Sequence, residues 1–404
     1  MTAGRLALLA ALLATTGAAH GQQKSTADVP APLRPAIDAY RAGDLATAEA
    51  SLRAQAHGNA DAEAWLGAVL IDRGNAREGL RLIQRAADAG SSEGAHRLAL
   101  AYAEGLAGIP RDDRRAAQLF ETAAAAGHHR AQINLGIFYL SGRGVPRDLV
   151  QARAWLEKAA AGGDPHALYL LGRALSESDG QAVEDPVRAA DLFRRAAEQG
   201  HALAGLRYGL ALSEGFGIKR DMAAAQRWLM QAREKGVPEA ALALGDLAAR
   251  TPVSRDKAVN EQVVQAALSW YQVAANSGVA SAQFKLANAY YAGAGVPRDA
   301  VQAQLWYGRA ARQGLPQAQH ALGLMLISGA AGPADPVEGY KWLTLAERGG
   351  HPDSRVARAK IAGQIPERDR QQAEALAQRF TPVLERPVTD GASQIVAPAT
   401  SSRR

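Results

Sequence analysis

The sequence has no cysteine. That excludes a disulfide framework, a thiolate metal site and a cysteine nucleophile. It also excludes a bacterial lipoprotein anchor, which is attached through cysteine. Aromatic residues are scarce, 5% of the chain, although 48% of it is hydrophobic. Much of the apolar content is alanine, and such a chain packs helices closely through small side chains instead of building one thick core. Charge of one sign is never concentrated. Lys and Arg outnumber Asp and Glu by 46 to 40, a formal charge of +6, yet no run of five or six like charges occurs. The basic balance reads as solvated helix faces and gives weak support to an anionic partner. Long hydrophobic runs are missing too. Leu6 to Ala14 is shorter than the about 20 residues a membrane-spanning helix needs.

That short run fits a different use. Arg5 precedes it, Ala19-His20-Gly21 offers a small-x-small cleavage point, and the polar Gln22-Gln23-Lys24 follows. This is the layout of a secretory signal peptide over residues 1–21, with an uncleaved anchor as the alternative. The expectation is an exported protein, periplasmic or secreted, with no integral span after cleavage.

What the chain has in abundance is a repeated small-residue pattern. Paired or single alanines are followed by a glycine at positions 90, 127, 163, 200, 236, 278, 314 and 350. The intervals are 37, 36, 37, 36, 42, 36 and 36 residues, and a period in that range is the signature of a solenoid. The clearest unit starts at Ala131. Ala131, Leu135 and Tyr139 fall on one helical face, and Gly136 suits close approach of another helix. Ser141 to Pro146 breaks the helix. Asp148 then caps a second helix, whose expected buried stripe is Ala152, Trp155, Ala159 and Ala160. Gly163 ends it in a left-handed conformation. Equivalent cap aspartates are Asp112, Asp185, Asp221, Asp299 and Asp335. The wedge position of Trp155 is filled elsewhere by Leu119, Leu192, Trp228, Trp270, Trp306 and Trp342.

Two units deviate. The one at Ala62 has a shortened inner turn. The one at Ala240 gains residues around 250–257 and lacks the cap aspartate at the usual place, an insertion expected to tilt the stack or form a contact loop. The expected organisation is a disordered lead-in at 22–32, a helix pair at 33–61, eight repeats at 62–353, two capping helices at 354–385 and a disordered tail at 386–404.

The unit Ala-x3-Leu-Gly-x2-Tyr-x2-Gly-x-Gly-Val-x2-Asp-x3-Ala-x2-Trp-x3-Ala-Ala-x3-Gly resembles the Sel1-like repeat, a relative of the tetratricopeptide repeat. Residues 131–163 match it almost throughout, and 282–314 match through Leu286, Tyr290, Gly293, Gly295, Val296, Asp299, Ala303, Trp306, Ala310, Ala311 and Gly314. The departures include Ala99 and Ala287 in place of the first glycine. The resemblance implies an all-α, right-handed α/α solenoid of antiparallel helix pairs. It also implies an adaptor or scaffold role in the bacterial cell envelope, where exported members serve exopolysaccharide assembly or host interaction.

No cofactor, metal or catalytic constellation is expected. The recurring aspartates read as helix caps, and the Gly-x-Gly elements follow no strand and lack a third glycine, so they read as inner turns. His128, His129, His166, His201 and His351 read as exposed turn residues, a whole repeat apart. By analogy with tetratricopeptide repeats, the first helix of each pair lines a concave groove. Its non-framework residues are Tyr169, Arg173 and Glu177 in one unit, Phe284, Asn288 and Tyr291 in another, and His320 and Leu324 in the next. These positions either capture a protein or peptide partner or pack against the neighbouring repeat. Binding of an anionic polysaccharide through the basic surface is the alternative function; nucleic acid is not expected.

Overall fold

The computed structural model describes residues 30–177, 185–251 and 255–385. The leader at 1–21, most of the lead-in, the tail at 386–404 and residues 252–254 of the insertion lie outside the described residues. Regular structure begins inside the expected lead-in, because Ala31–Leu33 is a 3-10 turn and Leu33 is fully buried.

Twenty α-helices and no strand occur among the described residues. A short pair, α1 (Arg34–Ala42) and α2 (Leu45–Gln55), comes first. Eight pairs follow: α3 (Ala60–Asp72) with α4 (Ala76–Asp88), α5 (Ser92–Glu104) with α6 (Asp113–Ala125), α7 (His129–Ser141) with α8 (Leu149–Ala160), and α9 (Pro165–Ser176) with α10 (Pro186–Glu198). The next four are α11 (Ala202–Glu214) with α12 (Met222–Glu234), α13 (Pro238–Ala249) with α14 (Lys257–Asn276), α15 (Ala280–Ala292) with α16 (Ala300–Arg312), and α17 (Pro316–Ser328) with α18 (Pro336–Arg348). Within each of two units, consecutive helices pack on one another in pairs and from pair to pair, as in an α/α solenoid. The contacts divide the chain into two compact units at Gly205 and Leu206. In the second unit α19 (Ser354–Ala362) and α20 (Glu367–Arg379) close the last pair, burying Ile361, Ile365 and Ala373 against Tyr340 and Leu343.

The aspartates start the second helices as their side chains dictate. Asp148 accepts from the backbone N–H groups of Val150 and Gln151 at 2.9 and 3.0 Å, and Asp112, Asp185, Asp221, Asp299 and Asp335 each accept from the residue three ahead. This satisfies N–H groups that have no partner inside the helix. Gly163 has φ +77°, which L side chains rarely adopt.

The core corrects the expected wedge by one residue. The side chain driven against the first helix is Leu156, fully buried, while Trp155 is only half-buried and carries Lys158 over its ring at 3.9 Å. A Cβ on Gly136 would lie 2.6 Å from the Leu156 Cγ, so the bare glycine makes room for that leucine. Phe193 at Gly172, Leu229 at Gly209, Tyr271 at Gly245 and Leu343 at Gly323 repeat the fit. Where the glycine is Ala99 or Ala287, the equivalent wedges Phe120 and Tyr307 stay buried. The tryptophan position is the residue before it, at the edge of the stripe: Trp155, Trp228 and Trp270 are half-buried, while Leu192, Trp306 and Trp342 are buried as expected.

The insertion also differs from expectation. Asp256 caps α14 by accepting from Ala258 at 2.8 Å, and α14 runs for 20 residues against 12 or 13 in the other second helices of the array. The added chain is thus largely extra helix. Its exposed first turns extend beyond Val264 and Leu268, which press on the inner turn of the following repeat at Gly295.

Candidate partner-binding surface

Each first helix of the array presents one residue five places after its cap. Those residues are Ala64, His96, Ile133, Tyr169, Leu206, Leu242, Phe284 and His320. The period brings this position onto the cap residue of the next repeat. His96 stacks on His128 with centroids 4.4 Å apart, Tyr169 on His201 at 4.7 Å, and His320 on His351 at 4.1 Å. The turn histidines are therefore joints between repeats, correcting the expectation that they stand exposed and a repeat apart. A repeat length measured along the sequence overstates the distance, because the facing residue comes from the preceding first helix.

The histidines also replace aspartate and serine as caps. The Nδ1 atoms of His128 and His201 accept from the N–H groups of Ala131 and Ala204, each at 3.2 Å. An accepting Nδ1 leaves the neutral ring's proton on Nε2. His128 Nε2 then donates to Glu93 at 3.1 Å, and His201 Nε2 lies 3.3 Å from His166 Nδ1. Glu93 also pairs with Arg97, whose guanidinium lies 3.8 Å from the Trp65 ring centroid. Burial opposes the charge on Glu93, but Arg97 and His128 prevail and hold its carboxyl well below the usual range. Burial, and then the neighbouring His128, push the His96 imidazole well below its ordinary value.

Glu93, His96 and His128 bring potential ligand atoms within 4.8 Å of one another. A metal ion needs lone pairs that converge on one point at about 2 Å. The two imidazoles lie 25° from parallel, so their in-plane lone pairs run alongside each other. With Arg97 already neutralising Glu93, the group is a buried polar joint. Ser354, within 2.8 Å of His320 Nδ1 and 3.1 Å of His351 Nδ1, resembles a nucleophile with its base, but it is fully buried and bridges the two rings of a joint.

The expected groove residues divide accordingly. Tyr169 is 2% exposed and packs on His201 and Phe193, so it belongs to a joint and offers a partner nothing. Phe284 is half-buried against Tyr307 at 5.7 Å. Arg173 and Glu177 pair with each other at 2.8 Å, and Glu177 also holds Arg147 at 3.0 Å. Asn288 is exposed and accepts from the Tyr307 hydroxyl, while Tyr291 is 43% exposed with Arg298 over its ring. His320 is half-buried in its stack but borders a cleft of about 490 Å³, with Leu324, Ile327, Val356 and Lys360 among the other walls. Leu324 and Val356 are 43% and 57% exposed there. Val356 lies in α19, outside the repeat pattern from which the groove positions were counted.

The structure thus defines an α/α solenoid whose repeats are joined through their caps, and in which Tyr291 and Leu324 of first helices and Val356 of α19 are among the exposed apolar residues. A family model described as Sel1 repeat matches residues 60–91, 92–128, 129–164, 165–201, 203–237, 261–279, 280–315 and 316–351. The chain belongs to the Sel1-repeat family. A protective antigen of uropathogenic Escherichia coli with an SLR fold is 27% identical, with a TM-score of 0.66 over 86% of this chain and 75% of its own. A Sel1 repeat protein from Oxalobacter formigenes is 30% identical, with a TM-score of 0.60 over 82% and 94%. The chitin synthase regulator SKT5 of Saccharomyces cerevisiae is 31% identical over 235 residues, 55% of this chain and 33% of the regulator. The chain spans about a third of that relative's length.

Proposed function

We propose that the protein is an interaction scaffold that holds a protein or peptide partner on its repeats, performs no chemistry of its own, and works outside the cytoplasm. The observation that carries this reading is the cleft beside α17 and α19, where Leu324 and Val356 expose apolar surface in a chain whose framework residues are buried. Exposed apolar side chains lining a concavity are the usual material of a binding site. The name of one relative, a chitin synthase regulator, describes a protein that acts on another protein. Export rests on the leader-like pattern of residues 1–21. The alternative of an anionic polymer finds little support, because many arginines already hold carboxylates, as Arg85 holds Glu63 and Arg194 holds Asp191 and Glu198.

The test is crosslinking of the tagged full chain in envelope fractions, compared with the variant Leu324→Glu/Val356→Glu. A specific protein should be captured by the wild type and reduced at least about tenfold by the charges, a difference of about 1.4 kcal/mol. Equal capture by both, with folding intact, refutes the cleft as the site. Recovery of the mature chain only in the cytoplasm refutes export.

A further inference from the structure

After α20 the chain does not stop at the cap. Phe380 packs edge-on against Trp342 at 5.6 Å, and the following residues run back onto α15 and α16. The Val383 N–H donates to the Arg312 carbonyl at 2.9 Å. Pro382 lies over Gly314, where a Cβ would come within 3.2 Å of its ring. The Glu385 carboxylate accepts from Arg309 Nε at 2.9 Å, from Arg309 Nη2 through its other oxygen, and from Gln283 Nε2 at 2.8 Å. Gln313 donates to the Gln283 carbonyl oxygen at 2.9 Å and so fixes that amide. Gln283 is completely buried, and its second bond goes to the Ala275 carbonyl at 3.2 Å.

The first repeat shows what this ledge lacks. Arg85 stands ten residues after the cap Asn75, as Arg309 stands after Asp299. Arg85 is held by two bonds, at 2.7 and 2.6 Å, to Glu63 of the first helix in its own pair. The position of Glu63 is filled by the neutral Gln283 at the ledge. Arg309 therefore has no carboxylate from its own repeat, and one is brought in from outside the array. The ledge recognises only an extended main chain and one carboxylate. Val383 and Leu384, 67% and 50% exposed, bury little apolar surface.

We propose that Gln283, Arg309 and Gln313 form a docking site for an extended, glutamate-bearing segment of a partner protein, and that Thr381–Glu385 is the resident segment such a partner displaces. This rests on the scaffold reading and gives that partner a chemistry. A strap held by a few polar contacts with its apolar side chains facing outward is exchangeable, since an incoming segment can reproduce those contacts. Bidentate arginine to carboxylate supplies the selectivity. The hydrogen bond from Arg309 is also the first cause holding the Glu385 carboxyl below its usual value.

The experiment measures anisotropy of a dye-labelled peptide of residues 380–385 added to the full chain. Glu385→Lys frees the ledge, and this variant should bind the peptide at least about tenfold more tightly than wild type, where the strap competes. Adding Arg309→Ala, which removes the guanidinium without restoring a pair to the new lysine, should abolish binding. A peptide with glutamine in place of its glutamate should lose about tenfold, whereas alanine at its valine or leucine should change little. The proposal is overturned if folded Glu385→Lys binds no peptide, or if binding ignores Arg309. If Glu385→Lys unfolds, Glu385→Gln keeps the side-chain shape and takes its place, with the same tightening expected. Concentration-dependent dimers of Glu385→Lys would assign the ledge to a second copy of this chain and also overturn it. A partner crosslinked to the wild type and unaffected by Arg309→Glu would refute the ledge while leaving the scaffold reading intact.

Discussion

The first unit builds its joints with polar caps, and the second, except at its last joint of His320 and His351, builds the same joint with apolar residues. In the first, the caps Ser91, His128, Asp164 and His201 each accept a backbone N–H of the helix they start. Glu93, Arg97 and His96 are buried behind them. In the second, the same position carries Val237, Val279 and Leu315, with no side-chain cap. Pro238 and Pro316 take the first helical position after two of these. Leu242 and Val279, and Phe284 and Leu315, sit in one apolar cluster. A proline at that position removes an N–H that would lack a partner and so lessens the need for a cap. An apolar cap residue gives up a hydrogen bond and gains burial. The geometry of stacking is common to both; what differs is how each joint responds to charge and pH.

The largest expected difference follows from the buried ions. Glu93→Ala leaves Arg97, 4% exposed, without its carboxylate, and removing one partner of a buried ion pair costs about 3–5 kcal/mol. Ser281 occupies the same register in the second unit and is exposed, so Ser281→Ala should stay within about 0.5 kcal/mol. Urea unfolding and hydrogen exchange of α5 and α15 measure both. Similar losses at the two sites would erase the distinction between the units.

An intermediate effect comes from pH. Burial, then the facing His351, lowers the His320 pKa, with Asp353 acting the other way; burial likewise lowers His166, opposed by Asp164. A histidine whose folded value is depressed contributes fully above the unfolded value of about 6.5 and loses stability as pH falls below it, because the unfolded state takes up the proton first. For a fully buried ring such as His96 the loss approaches about 1.4 kcal/mol per pH unit. The depressed carboxylates Glu93 and Asp164 act only below about pH 4, so the window from about 6.5 to 5 belongs to the joints. Six of the nine histidines meet in three such pairs. The variant His320→Phe/His351→Leu installs the Phe284 and Leu315 pair of the preceding repeat. Its melting temperature should fall less than that of the wild type between pH 7 and 5. An unchanged slope would show that this joint carries no proton linkage.

Most of the fold was legible because a solenoid writes itself in one dimension. Glycines, cap aspartates and alanine stripes are local signals, and each reappears in place. Tryptophan is the more conspicuous residue in the sequence, while the wedge Leu156 is placed by the bare backbone of Gly136 across the pair. The joints were illegible for a related reason: His96 and His128 are 32 residues apart, and only the stacking of repeats brings them together. Tyr169 reads as a groove residue for the same reason, since its partner His201 lies in the next repeat. The strap has no periodic signal. Arg309 and Gln283 show a missing carboxylate only when compared with Arg85 and Glu63, a comparison that requires knowing which residues touch.

The smallest effect is the most discriminating for interchangeable joints. His201→Val replaces a polar cap by the residue found at 237 and 279. It removes the bond to Ala204 and the contact of Nε2 with His166, while the valine still meets the face of Tyr169. Loss of a cap costs about 1 kcal/mol, and apolar burial on the tyrosine ring offsets part of it. The net loss should therefore lie below about 1 kcal/mol at pH 7. A loss above about 2 kcal/mol would mean that the polar joint is fitted to its neighbours as a network, in which single replacements leave buried partners unsatisfied. The two units would then be distinct designs on one frame, with residues not transferable between them.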